Sequence, residues 1–327
     1  ICMGMKDTRE AQIGDTFCVV GDEDSVEALP GFQKQKPVVF AGIFPMEEGG
    51  FMHLGDCLAK LQLTDSSVVT TKTLSPALGA GFHCGFLGLL HMDVFLERLN
   101  QEYDVEVMPT APTVSFRVKV RGEDELVTVE IPSEFPPQDQ IEECFEPFVS
   151  ANIICPESYL GDVMSLCQSR RGELESRDVD GERVFLTYNI PLLEIITDFY
   201  DILKRITSGY ASFTYENPVY LTSDLVRIDM LLNGEVVEPL VSIQHRSNVV
   251  KYGRMMAGKL KQTLKRGMFQ IIIQATVGGK IVARETISAY RKDVTAKLYG
   301  GDVTRRMKLL NKQKEGKKRM KEFGKVG

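Results

Sequence analysis

The chain has 327 residues, 43% of them hydrophobic, which is room for two or three domains, and no apolar run reaches the roughly 18 to 20 residues a membrane-spanning helix needs, so a cytosolic or matrix protein is expected. Its seven cysteines are scattered with no CxxC, which argues against a disulfide framework and for a reducing compartment. The formal net charge of −6 hides an asymmetry: residues 223–327 hold 23 Lys and Arg against 9 Asp and Glu, leaving 16 against 36 in residues 1–222, so the basic end points to a polyanionic partner.

Residues 1–35 read as the end of a β domain, with a turn at Ile13 to Thr16, a strand at Phe17 to Val20 and a turn at Leu29 to Phe32 that opens a linker. The first residues carry no basic leader, and the chain reads as a piece of a longer protein. Residues 36–111 give a β-α-β-β-α-β order. Val38 to Phe44 is a strand, and His53 to Leu63 is a helix with Leu54, Leu58 and Leu61 on one face. Val68 to Thr73 and Gly79 to Cys84 are strands. Phe86 to Leu99 is a helix with Leu89, Leu90, Val94 and Leu99 inward, and Val105 to Met108 closes the sheet. Residues 112–144 read as a strand, Val114 to Val120, and an acidic connector in which Pro132, Pro136 and Pro137 exclude a helix.

Residues 145–222 repeat the element order. The strand Phe148 to Cys155 precedes a helix at Tyr159 to Cys167 that faces inward with Tyr159, Val163 and Leu166. A hairpin across Asp180-Gly181, a helix over Leu192 to Ile206 and a strand at Tyr210 to Tyr215 complete it. The fold class expected is α+β, with two tandem ferredoxin-like (βαββαβ) domains followed by a basic α+β domain in residues 223–327. That last region reads as a hairpin of Leu225 to Leu232 and Val236 to Ile243 across Asn233-Gly234, then a basic helix over Ser247 to Leu264. A second hairpin, Met268 to Val277 and Ile281 to Ile287, turns at Gly278-Gly279. Asp302 is placed to cap a basic helix running to Phe323, whose apolar residues are too sparse for a stable stripe, so fraying or disorder is expected when it is free.

Several chemistries are missing. The Gly-Lys pairs at 258–259, 279–280, 316–317 and 324–325 are followed by Leu, Ile, Lys and Val, so no P-loop is present. Gly79-Ala80-Gly81-Phe82-His83-Cys84 fails the dinucleotide fingerprint at Cys84 and reads as a packing turn. His83, Cys84 and His91 match no common zinc spacing, and Glu142, Glu143 and Glu146 read as a solvated acidic linker. No catalytic residue and no metal site is assigned.

The positive signal is cationic. Lys251, Arg254, Lys259, Lys261, Lys265 and Arg266 recur along the first basic helix. Arg291, Lys292, Lys297, Arg305, Arg306, Lys308, Lys312, Lys314, Lys317, Lys318, Arg319 and Lys321 follow. A one-signed run of this density suits RNA phosphates, and Tyr290 and Tyr299 offer rings for base stacking.

Phe86-Leu87-Gly88-Leu89-Leu90-His91-Met92, in the context Ala77 to Gly85, resembles the signature of the LepA (elongation factor 4) family and its mitochondrial Guf-type relatives. So do Leu29 to Phe32, the segment Asp198-Phe199 through Ser212, Ile273-Gln274-Ala275, Tyr299 to Asp302 and Gln313 to Lys321. His83, Lys265, Gly267 and Lys325 to Gly327 depart from the usual pattern. The resemblance implies that residues 1–35 end the β-barrel domain II, that 36–111 and 145–222 are the ferredoxin-like domains III and V joined by the connector 112–144, and that 223–327 is the LepA-specific domain. It further implies a monomeric ribosome-dependent GTPase acting in elongation, proposed to move tRNAs back by one codon and linked to ribosome assembly. GTP and Mg would be held by a part of the parent outside this chain. The partners implied are ribosomal RNA and tRNA, with peripheral membrane association. The implied setting is the mitochondrial matrix, with bacterial cytoplasm or plastid as alternatives.

Overall fold

The computed structural model describes residues 14–22, 25–27, 37–47, 49–122, 125–216, 218–290, 294–295 and 303–323, without the side chains of 317 and 320–323. Three antiparallel sheets and their helices make an α+β protein. The chain divides into two compact units, residues 1–116 with 146–221, and residues 117–145 with 222–327. No helix among the described residues is long and apolar enough to cross a membrane. The strand expected at Phe17 to Val20 is not formed: these residues are exposed and join no ladder among the described residues. The turn at Leu29 to Phe32 lies outside the described residues.

The first unit begins with β1 (Val39–Pro45), α1 (Phe51–Thr64), β2 (Val69–Ser75), β3 (Gly79–Phe86), α2 (Leu89–Tyr103) and β4 (Val107–Pro109). The strands lie in the order β2-β3-β1-β4, antiparallel throughout. Leu54, Leu58 and Leu61 of α1 pack with Met92, Phe95 and Leu99 of α2 onto Ala41, Ile43, Cys84 and Phe86. Leu90 and Val94, expected inward, are exposed. Two stripes on α2 have helical spacing, and the one carrying the larger Phe95 faces the sheet. On the opposite face of the sheet, Phe40 and Phe44 are buried as well. There the glycines of the 79–85 motif make room. A Cβ at Gly81 would lie 2.7 Å from the Ile43 carbonyl oxygen, and one at Gly85 would lie 2.9 Å from the Phe40 ring. The motif is a packing device, as its failed fingerprint suggests.

Next come β5 (Phe116–Val120), β6 (Leu126–Val129), a 3-10 turn at Pro132–Glu134 and the long β7 (Ile141–Pro156). The expected connector thus contains a strand, β6, and the first of its three prolines, Pro132, starts a single 3-10 turn, where a missing N–H costs nothing. After a 3-10 turn at Glu157–Tyr159 come α3 (Leu160–Ser169), β8 (Glu173–Asp180), β9 (Arg183–Pro191), α4 (Leu192–Ile195), α5 (Phe199–Ile206), β10 (Ser212–Tyr215) and β11 (Val219–Thr222). In the first unit β8 pairs with β9, β9 with β7 from Phe148 onward, and β7 with β10, which repeats the pairing order of the first sheet. All eight residues of β8 are exposed. Val163, Leu166 and Cys167 of α3 and Phe199 and Leu203 of α5 are buried, whereas Tyr159, expected on the inward face of α3, precedes it and stacks on Tyr210.

The single helix expected over Leu192 to Ile206 is broken between α4 and α5. Arg170 Nη2 holds Asp198 Oδ1 at 2.7 Å across the break, and Arg170 Nη1 lies 3.7 Å from Glu194. Neighbouring Arg171, in the left-handed region at φ 58°, donates from Nη2 to both oxygens of Glu146 at 2.8 and 2.7 Å. Glu146 is fully buried on β7, so the reading of a solvated linker fails for it. A carboxylate removed from water in this way needs a charged partner.

The second unit holds β5, β6 and the start of β7, then β12 (Leu225–Leu232), β13 (Glu235–Val236), β14 (Ser242–His245), α6 (Val249–Thr263), β15 (Ile271–Val277), β16 (Lys280–Ile287) and α7 (Val303–Phe323). The sheet runs β13-β12-β15-β16, with β14 pairing the first half of β12. Asn233 and Gly234 both have positive φ (52° and 94°), as a tight hairpin turn requires. The return strand expected from Val236 to Ile243 is interrupted by a 3-10 turn at Glu238–Leu240, because Pro239 has no N–H to continue the ladder.

Candidate nucleic-acid interface

Helix α6 owes its place to one stripe. Val249, Gly253 and Ala257, four residues apart, are buried, with Tyr252, Met256 and Leu260 packed beside them. A Cβ at Gly253 would stand 3.1 Å from Ala275 Cβ and 3.3 Å from Val282 Cγ2, so the glycine lets the helix lie close on β15 and β16. Docking this stripe turns the remaining positions outward. Lys251, Arg254, Lys259 and Lys261 on the helix are exposed, and so are Lys265 and Arg266, expected on the same helix but lying beyond its end at Thr263.

These cations are not equivalent. Lys261 Nζ is 2.7 Å from Glu285 Oε2, and this hydrogen bond, followed by the lysine's charge, holds the Glu285 acid below the usual carboxylate range. Arg266 donates from Nε to the Ser288 carbonyl at 2.7 Å and from Nη2 to the Ser288 hydroxyl. The side chains of Lys251, Arg254 and Lys259 have no hydrogen bond or ion pair among the described residues, and they stand away from the buried stripe. In water, such cations are the ones available to neutralise phosphates.

Helix α7 carries Arg305, Arg306, Lys308, Lys312, Lys314, Lys318 and Arg319 exposed, so the helix expected to reach Phe323 is present. Lys317 and Lys321 lie in the same helix, their side chains outside the described residues. Arg291, Lys292, Lys297, Tyr299 and the expected cap Asp302 also lie outside them. Two exposed cations on β16, Lys280 and Arg284, join this unit. Reading the hairpin only for its apolar residues passes over them, although the alternation of the strand exposes them. Arg227 is committed elsewhere, to Asp229 at 2.7 Å and to the Ser133 carbonyl at 3.1 Å.

The other sequence candidates serve packing. Cys84 is fully buried, and desolvation pushes its thiol up to about 12. His83 stacks on Phe40 across the sheet's opposite face. His91 Nδ1 accepts from the Leu87 N–H at 3.2 Å, so Nε2 carries the proton and donates to Asp65 Oδ2 at 2.6 Å. Burial alone would raise the Asp65 acid, but the hydrogen bonds from Ser67 and His91 outweigh it and hold the acid below its usual value. These bonds tie the end of α1 to the start of α2. Glu142 pairs at the surface with Lys119, at 3.1 Å.

Residues 143–230 match the family described as elongation factor G C-terminus, and residues 232–327 match that described as GTP-binding protein LepA C-terminus. Over 99% of its length the chain is 50% identical to the mitochondrial translation factor GUF1 homolog of Dictyostelium discoideum. The chain belongs to the LepA/GUF1 family of translation factors. Over 329 residues it is 50% identical to the mitochondrial GUF1 homolog of Arabidopsis thaliana, and over 332 residues 48% identical to mitochondrial translation factor GUF1 of Homo sapiens. The chain spans about half the length of these GUF1 relatives, covering 47% to 49% of each. The three antiparallel sheets are consistent with the elongation factor G and LepA C-terminal families.

Proposed function

We propose that this chain is the ribosome-docking portion of a LepA/GUF1-type factor, and that the cations of its second unit grip the phosphates of ribosomal RNA and tRNA. The observation that carries the reading is the outward set of Lys251, Arg254 and Lys259 on a helix pinned to its sheet by Gly253 and Ala257. A rigid helix presents charge at fixed spacing, which sets register on a sugar–phosphate surface. The repeated pairing order supports two ferredoxin-like domains, over 36–111 and 145–222, with the LepA-specific domain over 223–327. GTP hydrolysis with Mg belongs to the remainder of the factor. Movement of tRNA during elongation, in the mitochondrial matrix, is the activity this portion serves.

The test is cosedimentation with intact ribosomes and with free ribosomal RNA across a salt series. Replacing Lys251, Arg254 and Lys259 by Gln is expected to weaken binding to both. The plot of log affinity against log salt should become shallower by about 0.7 to 0.9 for each phosphate that is no longer neutralised. An unchanged slope overturns the phosphate reading. Equal binding to free RNA and intact ribosomes points instead to an RNA-assembly scaffold.

A further inference from the structure

We infer that Arg266 and Tyr290 form a stacking site for an unpaired nucleobase of RNA. Tyr290 is 60% exposed. Its backbone N–H is fixed on the Gly267 carbonyl at 2.9 Å, which ties the segment after β16 to the loop between α6 and β15. The guanidinium of Arg266 lies over the ring, 6.0 Å from its centroid. That guanidinium is itself held by the carbonyl and hydroxyl of Ser288. Two planar groups are therefore positioned before any ligand arrives, and ordering costs on binding are small.

The chemistry selects the ligand. A tyrosine ring backed by a cation offers a π-face, and every nucleobase has one to match, with purines presenting the larger area. Bases inside a duplex have both faces covered, so an end, a loop or a bulge is required. The exposed Lys265 precedes the site and offers a cation to the adjoining phosphate. The site rests on the phosphate reading above and adds base contact to it, since phosphate contacts position a strand without reading its bases.

The experiment uses the 327-residue chain, a short single-stranded oligoribonucleotide carrying one 2-aminopurine, and a blunt RNA duplex of the same sequence. Binding of the single strand is expected to quench the 2-aminopurine. Tyr290→Leu should lose that quenching and weaken single-strand binding by about 5- to 150-fold, with little change for the duplex and none in the salt slope. Tyr290→Phe, which keeps the ring, should bind as the unmodified chain does. Arg266→Lys, which keeps the charge but not the plane, should fall between. If Tyr290→Leu binds and quenches like the unmodified chain while the Lys251, Arg254 and Lys259 variant fails, stacking is wrong and the phosphate reading survives. If the unmodified chain binds neither probe, the phosphate reading fails as well.

Discussion

Glu146 and Arg171 allow a worked test of how the second βαββαβ region is held. Arg171 retains 16% side-chain exposure, whereas Glu146 has none. Removing one member of a buried pair costs about 3 to 5 kcal/mol, because the survivor is left charged and uncompensated. The two single changes should differ. Glu146→Leu leaves an arginine that still reaches some water and has Glu194 at 3.5 Å from its Nε, so about 3 kcal/mol is expected. Arg171→Met strands a carboxylate without water, so about 4 to 5 kcal/mol is expected. The double replacement removes both charges and should cost no more than about 1 to 2 kcal/mol, since a well-packed apolar pair substitutes for a buried ion pair at little penalty. Urea unfolding of the unmodified chain, both single variants and the double variant, read by circular dichroism, gives the cycle. If the double variant is as unstable as the sum of the singles, the pair does not act as a unit and the reasoning is refuted.

Three further outcomes are expected. Gly81→Ala should lower stability by about 1 to 3 kcal/mol in thermal unfolding, because the new methyl meets the Ile43 carbonyl, which is backbone and cannot rotate away; a neutral result removes the packing role of the motif. Asp65→Asn should cost about 1 to 2 kcal/mol near neutral pH. The folded acid is depressed, so its contribution is complete above the unfolded value of about 4 and is lost as pH falls through the lower folded value. Denaturation midpoints of the two proteins should therefore converge only in acid, and a gap independent of pH contradicts this. Gly253→Val should loosen α6 from β15 and β16, seen as faster amide exchange in that helix, and weaken RNA binding although no cation is touched.

Local rules make much of this fold readable. The spacing of Leu54, Leu58 and Leu61 marks α1, and Asn233-Gly234 and Gly278-Gly279 mark two hairpins, because turn residues with positive φ act where they stand. What escapes depends on partners far along the chain. The break between α4 and α5 is spanned by Arg170 reaching Asp198, 28 residues away, and the buried Glu146 is paired by Arg171, 25 residues away. The site shows the same division. That α6 is cationic is plain from composition, but that Lys261 is engaged while Lys251 and Arg254 are not depends on Glu285 across the sheet, 24 residues from Lys261.

The outer strand β8 has a consequence for how the molecule behaves in company. A sheet margin with unsatisfied amides and carbonyls invites a neighbour's strand to add on, the first step towards fibrils. Here the inviting margin bears four acids, Glu173, Glu175, Asp178 and Asp180, against one base, Arg177, along eight solvent-facing residues. A second copy approaching edge to edge therefore meets a margin of net negative charge, which opposes pairing. Self-association by strand addition is thereby discouraged without burying the margin.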